Sequence, residues 1–125
     1  DVKEGEGLSI ATQILDKGQA WEKFQRICAA QGGMREIPKA SFAHVYKAEK
    51  KGVIVKIDNR QLSLIAKFAG APSAKAAGID LSISLGKAVE KGETLFTVHS
   101  NSPGELDYTL DYLHDNPDII TIQGV

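Results

Sequence analysis

The first thirty residues place apolar and polar side chains with a helical period. Apolar residues recur three or four positions apart within 8–15 and again within 20–28, and the turn-forming segment "DKG" at 16–18 separates the two runs. This spacing predicts two short amphipathic helices, over residues 8–15 and 19–31. Gly32 and Gly33 are expected to end the second helix, because glycine adopts the left-handed conformation common at helix ends. Short helices need a surface to cover, so we expect them to belong partly to a domain outside this sequence.

From Phe42 onward the period changes to two. The segments 42–48 and 53–57 alternate like strands, and a turn at 49–52 separates them. A helix is predicted over 60–70, because four of its apolar side chains share one face and Gly70 can end it: Leu62, Ile65, Ala66 and Ala69.

The segment 77–100 predicts two further strands joined by a wide connection. Residues 79–85 alternate, which places four side chains inward: Ile79, Leu81, Ile83 and Leu85. Gly86 and Gly92 are expected at turns around an inward Val89, before a strand over 93–100.

A helix should start at Ser102 as its cap, with Pro103 first and Glu105 completing a capping box. Asn116 and Pro117 should end this helix, and 119–122 reads as a last strand. The pattern predicts an α+β fold in which N-terminal helices precede a small β-structure.

Composition narrows the classes of function. The net charge of −1 over 125 residues offers no electrostatic case for nucleic acid, and the apolar runs are too short to span a membrane. One cysteine, Cys28, excludes an internal disulfide framework and fits a reducing cytoplasm.

One segment resembles a carrier domain. The sequence "LGKAVEKGETLFTV" is similar to the second half of a biotinyl/lipoyl-type barrel, or barrel-sandwich hybrid. A swinging-arm carrier needs an exposed lysine at the tip that follows this strand, whereas residues 99–103 contain none. We therefore expect no attached cofactor.

A second resemblance covers nearly the whole chain. It rests on "AWEKFQRICAAQGG", "GVIVKIDNRQLSLIAKFAGAP", "KAAGIDLSISLGKAVEKGETLFTVHS" and "ELDYTLDYL", in this order. Together they resemble the C-terminal end of the pyrimidine nucleoside phosphorylases, in particular the thymidine phosphorylase/AMP phosphorylase group. Family members commonly carry D-K-G-A-G where this sequence has A-K-A-A-G at 74–78, so two positions differ.

The resemblance implies a domain plan and an activity. It implies that residues 1–34 end a preceding α/β domain and that 38–125 form a C-terminal α+β domain, an α/β hammerhead like the barrel-sandwich hybrid. The full-length parent would be a cytoplasmic homodimer that converts a pyrimidine nucleoside and phosphate to base and pentose 1-phosphate. The family's phosphate- and base-binding motifs lie upstream, so no catalytic residue is assigned here and this chain alone is expected to be inactive.

The loop "GAPSAKAAG" at 70–78 allows two interpretations. It could simply connect a helix to a strand, or, as the resemblance implies, lie at the edge of the interdomain cleft and help to close it. In the second case Lys75 is the candidate to approach substrate. His44, His99 and His114 lie on different elements without metal-ligand spacing, so no metal site is expected.

Three hypotheses about function remain open at this stage. The chain could belong to a thymidine phosphorylase or to an AMP phosphorylase. These two cannot be distinguished, because the residues that bind the substrate are not among the 125. It could also be a stand-alone barrel-sandwich interaction module, although such a barrel has no evident need for the N-terminal helices.

Overall fold

A computed structural model describes residues 3–124, which divide into two compact units between Glu36 and Ile37. The elements, in chain order, are α1 (Gly7–Asp16), α2 (Gln19–Ala30), β1 (Phe42–Lys47), β2 (Gly52–Ile57), α3 (Asn59–Phe68), β3 (Gly78–Leu81), β4 (Ala88–Val89), β5 (Thr94–Ser100), α4 (Pro103–Asp115) and β6 (Ile120–Gln123). The predicted α+β class is confirmed. Residues 1, 2 and 125, which the expected domain ranges 1–34 and 38–125 include, lie outside the described residues.

The first unit contains the two predicted helices. Gly18 turns the chain between α1 and α2 with a φ of +73°, a conformation that costs glycine no steric strain. Trp21 and Phe24 stack on one face of α2, with ring centroids 5.7 Å apart. None of the described residues 3–36 is buried, so the apolar stripes of both helices are open within this unit.

The second unit contains two antiparallel sheets of three strands each. Their strand orders are β1-β5-β3 and β4-β2-β6. In the first sheet the central strand is β5. Its Ser100 pairs with Phe42 of β1, and its His99 pairs with Gly78 of β3. The consecutive strands β1 and β2 therefore lie in different sheets. The segment between them passes from one sheet to the other and does not form a β-hairpin.

One hydrophobic core joins both sheets to α3 and α4. Phe96 and Val98 enter it from the first sheet, Ile54 from the second, and Ile65 from α3, and all four are almost fully buried. Tyr46 stacks on Phe96 with a centroid distance of 4.8 Å. The predicted apolar face of α3 is confirmed, because Leu62 and Ile65 are buried. In α4, Leu113 is buried, and Leu106 and Leu110 pack against the core.

Both helices of this unit have side-chain caps. Asp58 Oδ1 accepts a hydrogen bond from the backbone N–H of Gln61 at 3.0 Å. Ser102 Oγ accepts from the N–H of Glu105 at 3.3 Å, as predicted, and Pro103 occupies the first helical position. The second half of the predicted capping box is absent, because the Ser102 N–H donates to Ser100 Oγ at 3.2 Å and so has no need of the Glu105 carboxylate.

The predicted strand over 79–85 is the clearest error. Strand β3 ends at Leu81, and Leu81 and Leu85 are 45% and 65% exposed, whereas Ile83 is buried. The chain leaves the first sheet here: the Ser82 N–H still donates to the Leu95 carbonyl, but the Gly86 N–H donates to Ile54 in the second sheet. Alternation cannot persist across a change of sheet, because the inward direction changes with the neighbours.

The connection between the two predicted glycine turns contains a strand that the sequence did not reveal. Gly86 and Gly92 both have positive φ, and Val89 is buried, as expected. Val89 also belongs to β4, which pairs with Gly52 and Val53 at the edge of the second sheet. Two residues are too few for a period of two to be recognised in sequence.

Candidate functional site

The loop that carries Lys75 is a compact series of turns after α3. Gly70 begins it with a φ of +116°, and a Cβ at this position would lie 2.9 Å from Glu105 Oε2 and 3.2 Å from the Ala74 Cβ. Backbone N–H groups of Ala74 and Ala77 donate to the carbonyls of Gly70 and Ala74, at 2.9 and 3.0 Å. The loop therefore has its own hydrogen-bonded shape, and the Lys75 side chain lies exposed on it.

A groove of about 590 Å³ opens beside this loop. Its floor is one row of the first sheet, in which His99 of β5 stands between Ala43 of β1 and Gly78 of β3. Because the two neighbours have only a methyl group and a hydrogen as side chains, the imidazole is flanked by open space. A Cβ on Gly78 would meet no atom within 4 Å.

The walls of the groove come from two segments on either side of that row. One wall is residues 75–77 of the loop, and the other is residues 37–40, which precede β1. The second wall is tied to the far end of β5, because the Ser41 N–H donates to Asn101 Oδ1 at 3.3 Å. The groove thus lies entirely within the unit that begins at Ile37.

Of the charged and titratable side chains that line the groove, Asp80 and His99 contact each other, whereas the two lysines have no partner among residues 3–124. His99 Nε2 lies 2.9 Å from Asp80 Oδ2, and an ionised carboxylate only accepts, so the imidazole donates. The Asp80 side chain is 82% exposed and that of His99 30%, so solvent keeps this contact weak in energy. Lys39 and Lys75 also line the groove, and neither forms an ion pair with any residue of 3–124.

Sequence reasoning singled out Lys75 but treated His99 as an isolated strand histidine and did not consider Lys39 or Asp80. These four residues come from four separate segments, and only the strand register brings them to one groove. In the sequence, only the small residues Ala43 and Gly78 could have indicated open space beside His99. Their position next to His99 is known only once the strand register is known.

The position expected for a carrier lysine has another structural role. The segment after β5 leads directly into α4 and caps it, with Ser100 Oγ donating to the Ser102 carbonyl at 3.1 Å. The carrier family instead needs a hairpin tip at this point. The segment 99–103 therefore serves to start a helix.

A second groove, of about 260 Å³, lies at the other end of β1. Tyr46, Glu49, Lys50 and Asp118 line it. Burial, and secondarily the charge of Glu49, raises the pKa of the Tyr46 phenol above its usual value of 10. Its two lysines, Lys47 and Lys50, are matched by its two carboxylates, so the groove has no net charge.

The other residues that could ligate a metal or act as a nucleophile do not come together in a site among the described residues. Cys28 is a half-buried free thiol on α2. Within residues 3–124 no three His, Cys, Asp or Glu side chains come together as they would around a metal ion. The three aspartates of α4 (Asp107, Asp111 and Asp115) are exposed to solvent. No helix among the described residues is both long enough and apolar enough to cross a membrane.

Comparison with known proteins places these features in a family. A model described as "Pyrimidine nucleoside phosphorylase C-terminal domain" matches residues 53–119. A protein of Legionella pneumophila (strain Paris) named "Putative thymidine phosphorylase" is 59% identical over 121 residues, which are 97% of this chain and 23% of that protein. A protein of the same name from Parvibaculum lavamentivorans is 50% identical over 121 residues, 97% of this chain and 24% of that protein.

The two measures of coverage differ in what they establish. The match extends across 97% of this chain, yet the chain spans only about a quarter of the length of the curated relatives. The family model covers more than half of the 125 residues and includes α3, β5 and all of α4. The resemblance that the sequence motifs indicated is confirmed, and the chain belongs to the pyrimidine nucleoside phosphorylase C-terminal domain family.

Proposed function

We propose that this chain is the C-terminal domain of a thymidine phosphorylase. The observation that carries the proposal is the identity of 59% over nearly the whole chain to a relative of that name. In the parent enzyme, phosphate would attack the anomeric carbon of thymidine, the bond to the base would break, and thymine and 2-deoxyribose 1-phosphate would leave. Such a reaction is accelerated by positioning the reactants and by stabilising the charge on sugar, base and phosphate.

This chain is proposed to contribute to the cleft of the parent and not to its chemistry. No residue of it is assigned a catalytic role. The loop 70–78 is proposed to lie at the edge of the cleft, where Lys75 approaches the substrates. Its support is that Lys75 is exposed, has no ion pair within residues 3–124, and stands on a loop with a defined hydrogen-bonded shape. A closing loop excludes water and completes a site.

The domain plan of the parent is also proposed. Residues 1–34 would be the end of the preceding α/β domain, and 38–125 the C-terminal α+β domain, built as a barrel-sandwich-hybrid-like α/β hammerhead. The open apolar stripes of α1 and α2 support the first part, since helices of this length are stabilised by the surfaces they cover. Two sheets that share one core support the second. The parent is proposed to be a cytoplasmic homodimer.

The experiment compares the full-length parent with the 125-residue chain. Purified parent should release thymine from thymidine in the presence of phosphate, while the isolated chain should release no more than a buffer control. AMP is offered in parallel, because release of adenine and not thymine would replace thymidine phosphorylase by AMP phosphorylase. Thymine release by the isolated chain would overturn the proposed division between domains.

The role of the loop is tested within the parent. Replacing Lys75 by Ala should raise KM or lower kcat if the loop closes over substrate. Lys50→Ala is the matched control, since this lysine also lines a groove of the same domain. Equal kinetics for both variants and the wild type would show that the loop only connects α3 to β3.

A further inference from the structure

The groove beside Lys75 has an excess of positive charge that no acidic side chain of the described residues neutralises. Two lysines line it, and its one carboxylate, Asp80, is occupied by His99. The groove therefore carries a net charge of at least +1, in a chain whose overall charge is −1. Unpaired cations on a concave surface concentrate the field inside it and raise the local concentration of anions.

The second groove shows that this imbalance is not general. It also contains two lysines, but Glu49 and Asp118 face the same space and cancel their charge. Elsewhere on the domain, Lys51 pairs with Glu90 at 2.7 Å and Lys87 with Glu93 at 2.8 Å. Lys39 and Lys75 differ from these in having no acidic partner among the described residues.

The shape of the groove limits the kind of anion. Its volume of about 590 Å³ falls in the range of small-molecule sites and far exceeds the need of a single inorganic ion. Its walls combine the two ammonium groups with apolar surface from Ile37, Pro38 and Ala40. The open row of Ala43, His99 and Gly78 lets a ligand approach the imidazole and the backbone of the sheet.

We propose that this groove binds a small phosphate monoester, with the phosphoryl group between Lys39, Lys75 and the imidazole of His99. A phosphoryl group suits these donors because its several oxygens accept charge-assisted hydrogen bonds from different directions. Asp80, which also lines the groove, holds the imidazole through the contact of its Oδ2 with His99 Nε2 at 2.9 Å. The organic part of the ester contacts the apolar wall at 37–40. This binding does not depend on the parent's phosphorolysis, and the isolated chain is sufficient to test it.

The test is a titration of the ¹⁵N-labelled 125-residue chain with ribose 5-phosphate, followed by amide chemical shifts at constant ionic strength. We expect saturable shifts, with a dissociation constant in the millimolar range, confined to residues 37–43, 75–80 and 99. Inorganic phosphate is titrated separately and should shift the same amides with weaker affinity, because it lacks the organic part. If inorganic phosphate binds as tightly as the ester, the assignment to a monoester is wrong.

Charge variants decide whether the two lysines cause the binding. Lys75→Gln and Lys39→Gln should each weaken it about two- to fivefold, the range expected when one exposed ion pair is lost. Lys50→Gln removes the same charge from the balanced groove and should leave the affinity unchanged. Shifts spread over all exposed lysines, shifts that do not saturate, or equal weakening by the Lys50 variant would overturn the proposal.

Discussion

Helices α2 and α3 both carry an apolar stripe, but only α3 buries it within its own unit. Leu62 and Ile65 of α3 are 8% exposed or less, whereas Trp21 and Phe24 of α2 are 53% and 48% exposed. The stripe predicted a helix equally well in both places. It did not reveal which helix buries its stripe within its own unit.

The same contrast extends from the two helices to the two units. Every core residue comes from the unit that starts at Ile37, and none of residues 3–36 is buried. Burial of apolar area is the dominant favourable contribution to folding, so the stability of the described chain should reside almost entirely in residues 37–124. Substitutions in the two units should therefore have very different effects.

The largest difference is expected between two aromatic residues. Phe96→Ala should lower the free energy of unfolding by about 3–5 kcal/mol, because it leaves a cavity under the stacked Tyr46. Trp21→Ala should change it by less than about 0.5 kcal/mol, as for an exposed residue. Urea unfolding followed by far-ultraviolet circular dichroism measures both. If Phe96→Ala does not fold, Phe96→Leu should still fold and lose roughly 1–2 kcal/mol.

An equal loss of stability in the two aromatic variants would contradict the contrast between the units. It would mean that the stacked pair of Trp21 and Phe24 contributes to the cooperative unfolding of the sheets.

A matched pair of glycines tests how tightly the sheet unit is packed. The Cβ of Gly52→Ala would collide with the Gln123 carbonyl of β6, which should cost about 1–3 kcal/mol through strain between the strands. In Gly104→Ala the nearest atom is Ser102 Oγ at 3.9 Å, so this variant should be neutral or more stable by up to about 1 kcal/mol. Thermal unfolding of both variants measures the difference. A Gly52 variant as stable as the wild type would show that β6 can move away from β2.

The cap of α4 should have an intermediate effect. Ser102→Ala removes the acceptor of the Glu105 N–H and should cost about 1 kcal/mol. Ser63→Ala is the control, because Ser63 lies inside α3 and its hydroxyl only donates to the Asn59 carbonyl, where alanine is the better helix former. Chemical denaturation should separate the two serines. Equal stability of both variants would show that the cap contributes nothing.

Removal of residues 1–36 should leave the unfolding of the sheet unit nearly unchanged, within about 0.5 kcal/mol. Limited trypsin digestion of the whole chain should cut first at Arg35 or Lys39, because both lie in exposed chain between α2 and β1. Mass spectrometry identifies the first fragments. First cuts at Lys87 or Lys91 would place the weak point inside the sheets instead.

The smallest expected effect is on the acid dependence of stability. The hydrogen bond from Lys87, followed by that from the Glu90 N–H, lowers the pKa of Glu93 below its usual 4.5. A lowered pKa in the folded chain stabilises it above pH 4.5, and this contribution is lost as the pH falls below 4.5 through the folded value. Glu93→Gln should therefore lose less stability than the wild type between pH 6 and pH 3.

Asp107→Asn provides the comparison for that acid titration. Asp107 is exposed on α4 and has no ion pair within residues 3–124, so its variant should follow the wild-type curve. If both variants reduce the loss of stability between pH 6 and pH 3 equally, its cause is the general loss of surface charge and not the Lys87–Glu93 contact.

Local features of the fold could be predicted from the sequence. Helix periods, the Ser102 cap and the glycine turns at 86 and 92 depend on neighbours within a few residues, and the structure confirms them. The strand predicted over 79–85 failed because the chain changes sheets after Leu81. That change depends on Leu95 and Ile54, which lie on other strands and leave no local pattern.

The candidate groove shows the same limit. Lys75 could be chosen from its loop, and its role stays a prediction. Its neighbours Lys39, Asp80 and His99 could not be chosen, since they meet only through the register that aligns Ala43, His99 and Gly78. The pairing of distant strands determines this alignment, and no motif in any one segment encodes it.

The alternation of consecutive strands between two sheets has a consequence for how the domain folds. Strand β1 pairs with β5, which lies about fifty residues further along the chain, and the longer partner of β2 is β6, which follows every other described strand of this unit. Chains dominated by such distant pairings fold slowly, on the order of milliseconds to seconds, since the loops must close before any pairing stabilises them. During synthesis the edges of β1 and β2 are therefore unpaired until their partner strands have been made, and such edges make an incompletely folded chain prone to aggregation.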